Sequence, residues 1–378
     1  MTSLSTLSTL IQAPIPFDEI SDRHECRLAA KSYLDQVGLP HSKLENWKYL
    51  DIDALLSQRL GEMTPGTLQS ISGYNGEGAV STISLGCDSS PLSYLNTAYF
   101  LNPIDIVIDH DASAPIVIDF SPSRWCCSRF NIRVASGVSA TLFIQTSGTD
   151  SEFENRFIDI ELADNSTLFC VQADHHVTGQ QFFSMNVSLQ QHASFNYVGF
   201  VTGVGLGRRD VQVDFYGEKA FASLQGIGLH RNQDQFFNHL TINHHVGNCE
   251  CKQLFKSILM DNALTEFSGL VFVEKKAHGT NSAQLNQTLL LSDQARALSR
   301  PQLRIDADDV ECAHGATVGQ LNPDEIFYIQ SRGMTAQQAK QLLTYGFAEE
   351  VLADVPDPQI KTALLELLQS EVAAYAIC

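Results

Sequence analysis

Along the middle of the chain, apolar and polar residues alternate in short bursts that keep returning. NIRVASGVSATLFIQ starts at Asn131, DIELADNSTLFCVQ at Asp159, NVSLQQHASFNYVG at Asn186, QVDFYGEKAFASLQG at Gln212 and TINHHVGNCECKQLF at Thr241. Each holds a short alternating stretch, a polar turn, a small residue and a second short stretch. Alternation with period two puts successive side chains on opposite faces and predicts strands; the Val, Ile, Phe and Thr content suits them. The small residues Ala140, Ser166, Ala193, Ala220 and Cys249 recur at intervals of roughly 26 to 29 residues, a spacing expected of stacked units. Strands this short bury too little surface alone and must stack on copies of themselves. The pattern predicts a mainly β chain built on a β-solenoid with an inner ladder of Val, Ile, Leu and Phe. A jelly roll or sandwich, which also uses many short strands, fits the regular spacing less well. The bursts continue through SILMDNALTEFSGLVFVEKKA, TLLLSDQARAL and PQLRIDADDVEC.

Both ends change period. FDEISDRHECRLAAKSYLDQVGLP, from Phe17, reads as a helix stopped by Gly38 and Pro40. QSISGYNGEGAVSTISLG, from Gln69, reads as a mobile Gly/Ser-rich link. In MTAQQAKQLLTYGFAEEVLADVP, Thr335 is the expected N-cap, and Leu342, Leu343, Phe347 and Val351 line one face at helical spacing. DPQIKTALLELLQSEVAAYA places Ile360, Leu364, Leu367, Leu368 and Val372 on a second apolar face, completing a helical hairpin. The expected organisation is an N-terminal helical region and linker over residues 1–100, a solenoid core over 101–333, and a C-terminal helical hairpin over 334–378. The hairpin either docks on the chain itself or recruits a partner, and different faces can serve both ends.

Composition narrows the function classes. A hydrophobic fraction of 44% is that of a globular protein, and no run of about 18 apolar residues offers a membrane span. MTSLSTLSTLIQAPIPF lacks the basic start and apolar core of a signal peptide, so a cytoplasmic location is expected. The nine cysteines (Cys26, Cys87, Cys126, Cys127, Cys170, Cys249, Cys251, Cys312 and Cys378) are odd in number and contain no CxxC pair. That argues against a disulfide framework or a structural zinc site and for small buried thiols. The formal net charge of −19, with no Lys/Arg cluster, excludes nucleic acid and anionic membranes as partners.

Candidate chemistry concentrates near the last bursts. In DVECAHGATVG, Cys312 and His314 are two residues apart, so on a strand they share a face and can approach one metal or one sulfur. Two donors are too few for a tight site; the rest must come from elsewhere or from a second chain. A histidine crowd, His230, His239, His244 and His245 with Cys249 and Cys251 close behind, is a second metal candidate, but matches no helix-borne motif; turn and ladder roles compete. His175 and His176 read as turn residues. GxSxG, the P-loop and GxGxxG are absent, and GVGLGRRD is a glycine-bearing turn with no helix pattern after it. Asp306, Asp308 and Asp309 would be the carboxylates of a solenoid carbohydrate lyase or hydrolase, a remote alternative.

RPQLRIDADDVECAHGATVGQLNPDEIFYIQSRGMTAQQAKQLLTYGFAEEV, from Arg300, resembles the C-terminal signature of the SufB/SufD family of iron–sulfur cluster assembly scaffolds. ADDVxCxHGATVG, FYxxSRG and A…LL…GFAxEV follow one another there over about fifty residues. GLPHSKLENWKYLDIDAL, from Gly38, and HGTNSAQLNQTLLLSDQARA, from His278, are similar to other family segments. The HGAT run at His314–Thr317 and the chain length resemble the SufD branch more than SufB, whose corresponding run reads HEAT. Ala313, where Ser is common, and Leu50, where Thr is usual, depart from the pattern.

The resemblance implies a right-handed parallel β-helix (solenoid) core flanked by N-terminal and C-terminal α-helical regions, and a non-catalytic scaffold role. It implies pairing with a SufB-type subunit through the solenoids and a SufC-type ATPase docked on the C-terminal helices around Leu342, Leu343, Phe347 and Val351; separately, a solenoid with an exposed edge can pair with a second copy of itself, as a homodimer, when the chain is isolated. Cofactors follow the same logic: none held tightly alone, and a transient iron–sulfur cluster at the interface with SufB. His314 matches the family's interface histidine and Cys312 the neighbouring cysteine. A SufB-like paralogue that holds the cluster itself is the alternative within the family.

Overall fold

The computed structural model describes residues 7–16, 18–41, 43–50, 63–74, 80, 83–86, 90–147, 151–175 and 179–375. Cys87, His176 and Cys378 lie outside them.

The chain opens with α1 (Leu7–Leu10), α2 (Ser21–Val37) and a 3-10 turn at Glu45–Trp47. β1 (Thr67–Ser72) and α3 (Pro91–Tyr99) follow. Next come β2 (Ile104–Ile108), β3 (Ile116–Ser121), β4 (Trp125–Val134) and β5 (Ser139–Ser147). The stack continues with β6 (Phe153–Leu162), β7 (Thr167–His175), β8 (Gln180–Leu189) and β9 (Ser194–Thr202). β10 (Leu206–Phe215), β11 (Phe221–His230), β12 (Gln235–His244) and β13 (Glu250–Leu259) come next. β14 (Leu264–Val273), β15 (Thr280–Leu290), β16 (Arg296–Ile305) and β17 (Val310–Gly319) end it. α4 (Pro323–Gln330), α5 (Ala336–Glu349), a 3-10 turn at Glu350–Leu352 and α6 (Pro358–Tyr375) close the chain.

Successive strands alternate between two sheets, β1-β3-β5-β7-β9-β11-β13-β15-β17 and β2-β4-β6-β8-β10-β12-β14-β16. Every pairing from β2 onward is parallel and in register, so each coil of this β-solenoid is one strand from each sheet. Register-paired positions stack into columns. Val134, Leu162, Leu189, Phe215, His244 and Val273 form one such column, buried throughout. The sharp corners need left-handed backbone, supplied by Gly137, Asn165, His192, Lys219, Asn248 and Gly279 with φ between 55° and 74°. The repeat seen in the sequence is therefore a corner with half a strand on each side. Ser166, Ala193, Ala220 and Cys249 occupy equivalent corner sites, one residue ahead of register-paired Thr167, Ser194, Phe221 and Glu250. Ala140 does not: it pairs with Leu168, two residues further along.

Residues 69–72 are not a link but part of β1, which adds antiparallel to β3 and closes that edge of its sheet. The solenoid's opposite end, at β16 and β17, has no strand beyond it among the described residues. α2 and α3 pack on the outer face of the even-numbered sheet, joined by Trp47, which lies beneath the Arg208 guanidinium at 3.8 Å. Arg208 also donates to the Asn46 carbonyl at 2.5 Å, and Glu45 pairs with Arg300 at 2.8 Å, which ties the Glu45–Trp47 turn to β10 and β16.

The C-terminal hairpin packs on the outer face of the odd-numbered sheet. Thr335 caps α5 through a complete capping box with Gln338, as its sequence position predicts. Val351, Leu352, Ile360, Leu364, Leu368 and Val372 are buried against Val171, Val198, Phe200, Ile227, Leu229 and Ile258. Polar bonds also pin the hairpin: Lys256 Nζ donates to the Phe347 carbonyl at 2.9 Å and pairs with Glu350, Gln225 donates to Asp354 at 2.7 Å and Thr202 to Glu371 at 3.1 Å. α4, absent from the sequence-based expectation, is eight residues long with Asn322 as its cap.

Candidate functional site

Cys312 and His314 sit on β17, the outermost strand of its sheet. Their columns decide which way they point. Cys312 continues Ala140, Leu168, Phe195, Ala222, Cys251 and Ser282; His314 continues Leu142, Cys170, Tyr197, Leu224, Gln253 and Gln284. Both columns are core columns, so both side chains belong to the solenoid interior, at the place where that interior opens. Cys312 is half-buried and packs on the core, while His314 is exposed. Burial pushes the Cys312 thiol up, and a backbone hydrogen bond from Ser282 opposes this. The pair brings one soft sulfur and one imidazole to one face, a donor set suited to iron. Among the described residues no group of three or more His, Cys, Asp or Glu is placed to hold a metal.

The columns also change character toward this end. Their early coils are mostly apolar, whereas Gln253, Ser282 and Gln284 are polar and buried. β15 is inverted: Thr280, Ser282, Gln284, Asn286 and Thr288 face inward, and Leu285 is 38% exposed. Asn286 donates to Ser299 of β16 across the interior at 2.9 Å. The two open edges differ as well. β16 carries Pro301, which cannot donate a backbone hydrogen bond, while β17 contains neither proline nor lysine. An unblunted strand edge is a template for a further strand.

The histidine crowd is dispersed. His230 and His244 are interior residues stacked on Phe236 and Phe215. Burial holds their imidazoles down, to about 3 for His230 and about 4 for His244, so both are neutral. His239 faces outward between Arg208 and Glu266 and is held down by burial. His245 stacks on Tyr216 and pairs with Glu274 at 2.7 Å and Asp214 at 3.0 Å; these carboxylates outweigh its partial burial and raise it. Cys249 and Cys251 are buried, the latter pushed up to about 12 by burial. These six side chains do packing, corner and ion-pair work. His175 is the last residue of β7 rather than a turn residue.

The four hairpin residues read as one face divide on inspection. Val351 is fully buried against the sheet, and Phe347 is half-buried with Lys256 4.5 Å from its ring centroid. Val351 is thereby removed from any partner surface, because its side chain is consumed by the chain's own packing. Leu343 is half-buried, and Leu342 is 49% exposed beside a groove of about 430 Å³ lined by Gln341, Tyr345, Gln369, Val372 and Ala373. No described helix is long and apolar enough to cross a membrane.

Comparison with known proteins bears on this geometry. Residues 119–347 match the model of the SUF system FeS cluster assembly SufBD core domain. The iron–sulfur cluster assembly protein SufD of Escherichia coli is 25% identical over 387 aligned positions, spanning 89% of this chain and 90% of that protein. A SufBD family protein of Synechocystis is 33% identical over 208 positions, 54% of this chain and 45% of its own length. SufD of Bacillus subtilis is 30% identical over 160 positions, 42% of this chain and 36% of its own.

Proposed function

Because the chain belongs to the SufBD core family of iron–sulfur cluster assembly proteins, we propose that it is a SufD-type scaffold subunit of that system, with no turnover of its own. The observation that carries this reading is the open end of the solenoid. A strand with an unblunted edge, β17, presents Cys312 and His314 as half of a donor set. A SufB-type subunit pairs there and supplies the other half. The nascent cluster is cargo held between the two chains, and incomplete coordination by either chain lets it leave. Alone, the chain pairs with a second copy through the same edge.

A SufC-type ATPase docks on the outer surface of α5 and α6, around Leu342 and Leu343 and the groove beside Tyr345. The inner surface of the same hairpin fixes it to the solenoid, and the two uses share only residues such as Val372 at their boundary. Similarity spanning 90% of the E. coli SufD supports the SufD branch over a SufB-like paralogue that holds the cluster itself.

The test is anaerobic co-purification with SufB-type and SufC-type partners, with the mass of the complex read by light scattering. His314→Ala is expected to leave the complex intact and to impair cluster formation in cells that depend on the variant. A chain that stays alone at every partner ratio refutes the scaffold reading. Normal cluster maturation with His314→Ala refutes the donor role.

A further inference from the structure

The interior beneath His314 contains an unanswered acceptor. Gln284 is 2% exposed, and its Nε2 donates to Gln253 Oε1 at 2.8 Å. That bond ties the amide nitrogen to the earlier coil. Gln284 Oε1 is buried and has no hydrogen-bond partner among the described residues. Leaving such an acceptor unpaired costs about 1–3 kcal/mol. The next residue in the column is His314, the in-register partner of Gln284. Register-paired side chains of neighbouring strands share a face at a spacing of roughly 4.8 Å, within reach of an imidazole N–H. The amide's place is also shaped from across the core: a Cβ at Gly269 would lie 2.1 Å from Gln284 Nε2. A side chain there would push the amide out of this position. Ser282 repeats the relation beside it. Its Oγ is buried without a partner, and it is the in-register partner of Cys312.

We propose that Gln284 is the positioning residue of His314: its Oε1 accepts one imidazole N–H, fixes the ring's tautomer, and leaves the other nitrogen's lone pair facing out of the open end as the donor to iron. The proposal rests on the donor role given to His314 above. Histidines that ligate metals commonly donate their second N–H to a carbonyl or carboxylate, which sets tautomer and orientation. A glutamine performs this without adding charge to the interior.

The experiment uses the full chain with ¹⁵N-labelled histidine and long-range ¹H–¹⁵N correlation, the His314 signals being identified by their loss in His314→Ala. The expected result is one dominant His314 tautomer in the parent chain and a mixture in Gln284→Leu. Gln284→Glu, which keeps an acceptor, restores a single tautomer. Gly269→Ala, which displaces the amide without changing its chemistry, gives the mixture again and serves if Gln284→Leu does not fold. An unchanged tautomer ratio in whichever of these two variants folds overturns the proposal. A merely structural glutamine would lower the melting temperature and leave the tautomer alone. Loss of the donor role is read separately, from undiminished iron loading of the His314→Ala complex. With the role intact, Gln284→Leu lowers iron affinity of the complex by about 10-fold or more.

Discussion

Opposite substitutions on the two faces of the C-terminal hairpin separate folding from docking. Leu368 is fully buried against the odd-numbered sheet, among Leu364, Val372 and the sheet's outer Val and Ile residues. Truncation to alanine removes apolar burial and leaves a space that the rigid sheet cannot fill, at a cost of about 2–5 kcal/mol. At the middle of that range, roughly 3 kcal/mol, hairpin opening becomes more than 100-fold more frequent, since 1.4 kcal/mol is tenfold. Hydrogen exchange on α5 and α6 reads this directly, with faster exchange there than in the solenoid strands. Leu342, 49% exposed, loses little on substitution, and Leu342→Asp should change stability by no more than about 0.5 kcal/mol. The same charge placed in an apolar docking surface should abolish binding of a SufC-type ATPase. Thus Leu342→Asp separates binding from stability, whereas Leu368→Ala loses both together. The reasoning fails if Leu342→Asp accelerates exchange across the hairpin, or if Leu368→Ala leaves exchange unchanged.

Other consequences follow from the interior. His244 lies in an otherwise apolar column with neither ring nitrogen bonded, and its imidazole is held down to about 4 by burial and by neighbouring His245. The unfolded chain therefore takes up this proton first, and stability that is full above about pH 6.5 falls as pH drops toward 4, by up to about 1.4 kcal/mol per pH unit. His230 and His239, also held down by burial, add to the same acid arm, so His244→Phe should make it shallower in denaturant titrations without abolishing it; an unchanged slope refutes it. Thiol order is a second check: half-buried Cys312 should alkylate well before Cys127 and Cys170, which are fully buried and pushed up to about 12, as peptide mapping of timed samples would show. Lys256→Met should loosen the hairpin by about 1–3 kcal/mol, because the Phe347 carbonyl loses a charged donor while the Glu350 partner is solvent-exposed. Equal urea midpoints for this variant and the parent would contradict it.

Which features were legible in the chain's alternation depends on what apolar burial controls. The coil repeat, α2, the Thr335 cap and the apolar face of α6 all follow from side chains whose burial decides the backbone. Elsewhere burial and polarity part company. β15 buries Thr, Ser, Gln, Asn and Thr and exposes Leu285, so hydrophobic phase alone would turn the strand over. Only its register with β13 settles the phase. Histidines clustered in sequence are dispersed because strands send neighbours to opposite faces and coils separate the rest. Residues 69–72 look like a link because Gly and Ser surround them, yet an open sheet edge at β3 makes even this stretch a strand. The hairpin's four apolar residues share a stripe in sequence, but the 3-10 turn after α5 carries Val351 under the helices.

That same logic explains why the two residues of the proposed half-site were visible in the sequence and their proposed support was not. A solenoid sealed at both ends would keep Val, Leu and Phe in its last columns. Here the column of Leu142 turns polar two coils before β17 and that of Ala140 one coil before it, and they end in His314 and Cys312. Such a change is unfavourable in a closed core, where polar groups need partners, and reasonable in an interior that meets water or another chain. Sequence motif identified the two residues at the end of those columns. The register of seven stacked strands is needed to see that Gln284 and Ser282 lie behind them, thirty positions earlier in each case, each with one oxygen still unpaired.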